Sequence, residues 1–240
     1  MEVKEIKKYL DEVKELKKCL DVKDLMLFNE AEEVLIKKTF NINTTLLPKI
    51  EDFSSRISLE RTKFDIDKFK IFMMSSIFKD FYKTNSYFIL THELINSIKV
   101  MIDDMKFTKV VELSSGCGWF TYWMRKYGIN ILDCIDKKGW ALKYLPIVKQ
   151  YDSIQYVKEN QDVELFILSW PYMDSTAYRI WDAMNKGQYL LYIGEWKGGC
   201  TANDQFFDEI SSHIVDDKWD VRLSFIAFHM LHDTINLFKK

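Results

Sequence analysis

The sequence predicts an α/β protein: a doubly wound, mostly parallel seven-stranded sheet over residues 91–240, preceded by an all-α extension over residues 1–90. Three observations carry this reading. All eight glycines lie at or beyond Gly116, and Pro48 is the sole proline before that point. Glycine and proline punctuate turns, so their scarcity favours helices joined by polar linkers. In the same stretch, apolar residues recur at helical steps of three and four. From Thr91 onward, short apolar runs alternate with helical segments, which is the pattern of parallel strands joined by crossover helices.

The elements follow in order. Val3, Ile6, Leu10, Val13 and Leu20 mark a first amphipathic helix, whose lysines interleave with glutamates and aspartates and so form a solvated face. A second helix is expected over 24–38, using Leu25, Phe28, Ala31 and Leu35. A third is expected over 66–82, with Phe69, Phe72, Met73, Ile77 and Phe81 as its stripe. These stripes would suit a lid, an assembly surface or a homodimer contact. Thr91 is the expected N-cap of a helix running through Leu94, Ile95, Ile98 and Ile102. Strands are expected at 109–113, 129–136, 154–157, 163–168 and 188–193, with 221–225 and 234–238 as a closing hairpin pair. An aromatic helix from Trp119 to Tyr127 lies between the first two strands, with Gly128 as its stop.

Composition narrows the function classes. With 48% hydrophobic and 15% aromatic residues, the chain has ample material for a packed core. Its formal net charge of -2 lacks the basic surplus of a duplex nucleic-acid binder. The expected partners are therefore a small-molecule, protein or single-stranded nucleic-acid substrate, with duplex DNA disfavoured. Cys19, Cys117, Cys134 and Cys200 are scattered without CxxC spacing, as in reduced thiols of a cytoplasmic protein, and no metal site is expected. No long apolar run follows the charged start Met1-Glu2-Val3-Lys4, so neither a membrane span nor a signal peptide is expected.

The chemistry is expected at the turn Glu112-Leu113-Ser114-Ser115-Gly116-Cys117-Gly118. A strand ending near an acidic residue, followed by Gly-x-Gly opening a helix, lets backbone approach a ligand closely and presents free N–H groups. Asp136 ends the next strand, where nucleotide-binding folds place a carboxylate for two ribose hydroxyls. The plainer alternative is a surface aspartate that begins a turn with Lys137, Lys138 and Gly139.

Residues Glu112 to Gly118 resemble motif I of class I S-adenosylmethionine-dependent methyltransferases, and Cys134-Ile135-Asp136 resembles the acidic end of their second strand. Ser114 stands where the family usually has its first glycine. Ser169-Trp170-Pro171-Tyr172 resembles the Asp/Asn/Ser-Pro-Pro-Tyr/Phe/Trp motif of methyltransferases acting on amino nitrogens, with Trp170 in place of the first proline. The resemblance implies a Rossmann-like domain that binds S-adenosylmethionine through Glu112, Ser114, Gly116, Gly118 and Asp136. It also implies that Ser169 accepts hydrogen bonds from a target amine and that Tyr172 stacks on a flat substrate. Glu195, leaving the fifth strand at the same sheet edge, would be a base, a binder of a substrate cation, or the cap of a turn.

Other readings stay open at this point. Trp170 and Tyr172 would serve equally as cover for the sheet edge. Ser114 and Trp170, both at positions where the family pattern is specific, would also suit a binding or scaffold protein that has lost the reaction. A dinucleotide dehydrogenase shares the fold, but its GxGxxG lacks a third glycine in Gly116-Cys117-Gly118-Trp119-Phe120-Thr121.

Overall fold

The computed structural model describes residues 87–88, 90–139, 144–197, 199–215 and 233–240. The chain divides into two compact units, Met1–Thr84 and Asn85–Lys240, and the described residues belong to the second. The helices expected over 3–20, 24–38 and 66–82 and the strand expected over 221–225 lie outside the described residues.

The elements in chain order are α1 (His92–Met105), β1 (Val110–Leu113), α2 (Trp119–Lys126), β2 (Ile131–Asp136), β3 (Val148–Gln150), α3 (Ser153–Glu159), β4 (Leu165–Ser169), α4 (Thr176–Ala183), β5 (Tyr189–Glu195), α5 (Asp204–Ile210) and β6 (Asp233–Lys239). Among the described residues they build a mixed α/β structure on a six-stranded sheet of order β3-β2-β1-β4-β5-β6. All pairings are parallel except β5 with β6, which is antiparallel. The chain reverses direction of growth at β1: β2 lies on one side of it and β4 on the other. In open sheets of this kind, ligands bind beyond the carboxyl ends of the strands at that switch point.

Local chemistry explains the element boundaries. The Thr91 hydroxyl accepts the Leu94 N–H at 3.1 Å and caps α1 as its sequence position predicts. Gly118 caps α2 in the left-handed conformation, and Asn203 caps α5 by accepting the Phe206 N–H at 3.1 Å. One expectation is corrected. The segment 154–157 is helical, and the third strand is upstream at Val148–Gln150. The Asp152 carboxylate accepts the Gln155 N–H at 2.9 Å and starts a helix there, burying Ile154 and Val157 three apart on one face.

Strand alternation sorts the core into two layers. Val111, Leu113, Phe166, Leu168, Leu190 and Tyr192 point to one face, where Ile154, Val157, Trp181, Phe206 and Phe207 from α3, α4 and α5 cover them. Val110 and Glu112 point to the other face, which α2 covers, and α1, with Leu94, Ile95 and Ile98 buried, packs against α2. Among the described residues, no helix is long and apolar enough to cross a membrane.

Candidate active site

Parallel register assembles the site. Leu113 is level with Ile135 on β2 and with Leu168 on β4. Ser114, Asp136 and Ser169 therefore leave three adjacent strands at the same height, and strands in a sheet lie about 4.8 Å apart. Residues far apart in sequence become one edge because the sheet pairs their strands.

Backbone strain concentrates at that edge. Ser114 (φ 50°), Lys138 (φ 54°), Trp170 (φ 49°) and Lys197 (φ 48°) occupy the left-handed region just beyond β1, β2, β4 and β5. Each non-glycine residue held there costs roughly 1–2 kcal/mol, and such residues gather at functional sites.

The glycine turn has two different glycines. At Gly118 a Cβ would meet Val148 Cγ2 at 2.5 Å and Cys134 Sγ at 3.3 Å, so the backbone packs directly on β2 and β3. At Gly116 no atom of the described residues lies within 4 Å of where a Cβ would stand. Gly118 thus serves the fold, while Gly116 leaves space above the turn clear of the described residues. Ser114 sits where the motif usually has glycine, with its N–H donated to Ser153 Oγ at 3.2 Å. This tie from the turn to the start of α3 was not legible in the sequence. The Asp152-Ser153 helix start is the signal that would have revealed it.

Asp136 is bound to the turn itself. One carboxylate oxygen accepts the Gly116 N–H at 2.9 Å and the other accepts the Lys138 N–H at 2.7 Å. A carboxylate has about four lone-pair sites, so each oxygen retains capacity for a further donor. The same side chain therefore sets the turn and keeps acceptor capacity on both oxygens.

Glu112 is placed differently. It lies within β1, is 1% exposed, and its Oε2 accepts both the Thr121 N–H at 3.1 Å and the Thr121 hydroxyl at 2.5 Å. It ties the strand to the first turn of α2 beneath the glycine loop. Burial is the main reason its carboxyl is pushed up to about 7, with the Thr121 hydrogen bonds and Cys134 opposing that rise and the Asp136 charge adding to it. Thr121 is a second residue the sequence did not single out.

At the β4 end, Ser169 is half-buried and its hydroxyl makes no hydrogen bond among the described residues. The Trp170 N–H bonds Ile193 O at 2.7 Å, and its ring stacks on Tyr87 at 5.3 Å with 19° between planes. Tyr172 is 65% exposed at the same edge, beside the exposed Met173. The Glu195 carboxylate turns back into its own loop and accepts the Cys200 N–H, with Gly199 giving it room. Its backbone carbonyl accepts the Tyr192 and Thr201 hydroxyls, each at 2.9 Å. Of the roles open to Glu195, this is the geometry of a turn cap. The loop so folded donates the Ala202 N–H to Pro171 O at 3.3 Å and supports the segment carrying Tyr172. Trp196 stacks on Phe238 at 5.9 Å rather than lining the crevice.

Fold and edge together define a mixed α/β protein whose site residues meet at the switch point between β1 and β4. Among solved structures, it is similar to TehB from Haemophilus influenzae, at 11% identity over 70% of this chain and 67% of that one, with a TM-score of 0.39. It is also similar to MtNAS in complex with MTA and tNA, at 13% identity over 99% and 97% of the two chains, with a TM-score of 0.40. A third is human N-acetylserotonin methyltransferase in complex with SAM, at 11% identity over 91% and 68%, with a TM-score of 0.38. No protein-family model and no curated protein matches the sequence. Likeness this distant carries nothing about chemistry, which rests on the residues of the edge.

Proposed function

We propose that the chain is an S-adenosylmethionine-dependent methyltransferase that places a methyl group on a nitrogen or oxygen of its acceptor. The observation that supports this most is the pairing of Asp136 with Gly116. A carboxylate with two spare acceptor positions is fastened to a turn whose outer side is open. That pairing suits a ribose diol lying against backbone, as nucleoside-bearing cofactors require.

When bound, S-adenosylmethionine supplies an activated methyl group on a sulfonium. The chain's own residues then bind and orient. Gly116 leaves room for the cofactor, Gly118 and Ser114 shape the turn, and Asp136 accepts the ribose hydroxyls. Ser169 Oγ accepts a hydrogen bond from the target group, and the exposed ring of Tyr172 offers a face to a flat acceptor. Glu112 and Glu195 are engaged within the chain and act by holding the turn and the Pro171 segment. The acceleration comes from placement, and the proton that the acceptor sheds passes to solvent. The near-balanced charge favours a small molecule, a protein group or a single-stranded nucleic acid as acceptor over duplex DNA.

A second reading, a scaffold that has lost the reaction, draws on the left-handed Ser114 and Trp170 at the two motif positions. Calorimetric titration with S-adenosylmethionine and S-adenosylhomocysteine separates the two. The enzyme reading expects both to bind at tens of micromolar protein, and Asp136→Ala to weaken both at least ten-fold through loss of the diol contact, worth about 1.4 kcal/mol or more. Binding of neither ligand would leave the scaffold reading, and unchanged affinity in Asp136→Ala would remove the ribose role.

A further inference from the structure

Glu112 has a feature that the cofactor reading does not use. Its Oε2 takes two hydrogen bonds from Thr121, yet its Oε1 is buried with no hydrogen-bond partner among the described residues. A buried carboxylate oxygen left unpaired is costly, most of all when the group is ionised. Among the described residues no cation acts on it. On β2, Cys134 is level with Glu112 and its thiol approaches Oε2 at 3.7 Å. Burial and the Glu112 carboxylate both push that thiol up, so it stays protonated. Asp136, two residues further along β2, adds charge of the same sign. On the other flank β4 presents Ile167, and from α2 the contact is the uncharged Thr121. Cys117 in the turn is likewise pushed up by burial and by Asp136. The turn that would carry a bound cofactor connects Glu112 to Thr121, so the carboxylate lies beneath it.

We propose that Glu112 is the specificity-determining residue of the cofactor site, favouring a sulfonium over the neutral thioether that remains after methyl transfer. The inference rests on the cofactor reading above. Both ligands carry the same ammonium and carboxylate, so the charge by which they differ is that of the sulfonium, and its presence on the turn favours the ionised form of the buried carboxylate. The balance is one proton: Glu112 releases it to solvent when a sulfonium binds, and retains it when the thioether binds. Because burial holds the carboxyl up to about 7, this exchange falls near neutral pH. The thioether product is thereby held less tightly than the sulfonium substrate.

The test is calorimetric titration of the full chain with S-adenosylmethionine and with S-adenosylhomocysteine at about pH 6 and about pH 8. Each pH is measured in two buffers of different ionisation enthalpy, which counts protons released. S-adenosylmethionine is expected to bind on the order of ten-fold more tightly at the higher pH, since one pKa unit corresponds to a factor of ten. S-adenosylhomocysteine is expected to change less than about two-fold from this group. The ligands' own amino groups also titrate, so the signal is the difference between the wild type and Glu112→Gln, which keeps an oxygen for Thr121. Thr121→Val removes one hydrogen bond to the ionised form and should move the transition to higher pH. Equal pH dependence for the two ligands, the full difference surviving in Glu112→Gln, or an unmoved transition in Thr121→Val would each overturn the proposal. Binding of neither ligand overturns it together with the cofactor reading, whereas binding without the pH difference overturns it alone.

Discussion

Gly118→Ala should destabilise the protein by roughly 2–5 kcal/mol, while Gly116→Ala, two residues away in the same turn, should cost only about 1–2 kcal/mol. At Gly118 two penalties add. The backbone sits at φ +83°, where a Cβ costs roughly 1–2 kcal/mol, and the new methyl would press on Val148 Cγ2 at 2.5 Å. Overpacking of that kind typically costs about 1–3 kcal/mol. At Gly116 only the conformational penalty applies, because the position at φ +54° faces open space. The two variants therefore separate architecture from ligand contact. Urea unfolding should show the large loss in Gly118→Ala alone. Gly116→Ala should stay folded and bind S-adenosylhomocysteine at least about ten-fold more weakly, a loss of about 1.4 kcal/mol. Equal stability losses in the two variants would mean that the turn does not pack on β3 as described.

The second large effect is a pH dependence of stability. The Glu112 carboxyl is pushed from 4.5 up to about 7 in the folded chain, mainly by burial. The folded state then binds a proton that the unfolded state has given up. The stabilisation from this group is complete below about pH 4.5 and is lost as pH rises through about 7. At about 1.4 kcal/mol per pKa unit, the loss is roughly 3 kcal/mol. Other carboxylates act in the opposite sense. Asp162 and Glu164, for instance, are held low, Asp162 by Lys109 and Glu164 by hydrogen bonds from Thr108 and Lys109 that outweigh its desolvation. The measurable quantity is thus the stability difference between the wild type and Glu112→Gln, followed by urea unfolding across this range. It should shift against the wild type as pH rises. A difference that stays flat from pH 4.5 to 8 would show that Glu112 is solvated.

Much of the architecture was legible because backbone chemistry dictates it. Thr91 had to cap a helix, Gly118 had to turn tightly, and the apolar runs at 109–113, 163–168 and 188–193 had no other way to be buried. The third strand was missed because Val148–Gln150 is three residues long and exposes two of them, which leaves no apolar signal. Ile154 and Val157 then drew the assignment downstream, although the Asp152 cap marks a helix start. The turn at Gly116 and Gly118 and the strand end at Asp136 were legible as backbone features. Side-chain direction was not. Glu112 follows Val110 on the covered face of a central strand, and nothing local reveals that Thr121, nine positions on, receives it. Glu195 reads as an edge carboxylate until Gly199 lets the loop fold back onto it. The left-handed backbone at Ser114 and Trp170 carries no glycine to announce it.

A crystal of the protein soaked with S-adenosylhomocysteine should show the ribose hydroxyls within hydrogen-bond distance of both Asp136 oxygens, with the ligand lying over Gly116 at the switch point between β1 and β4. No bound ligand at saturation, or ligand bound away from Asp136, would refute the ribose site.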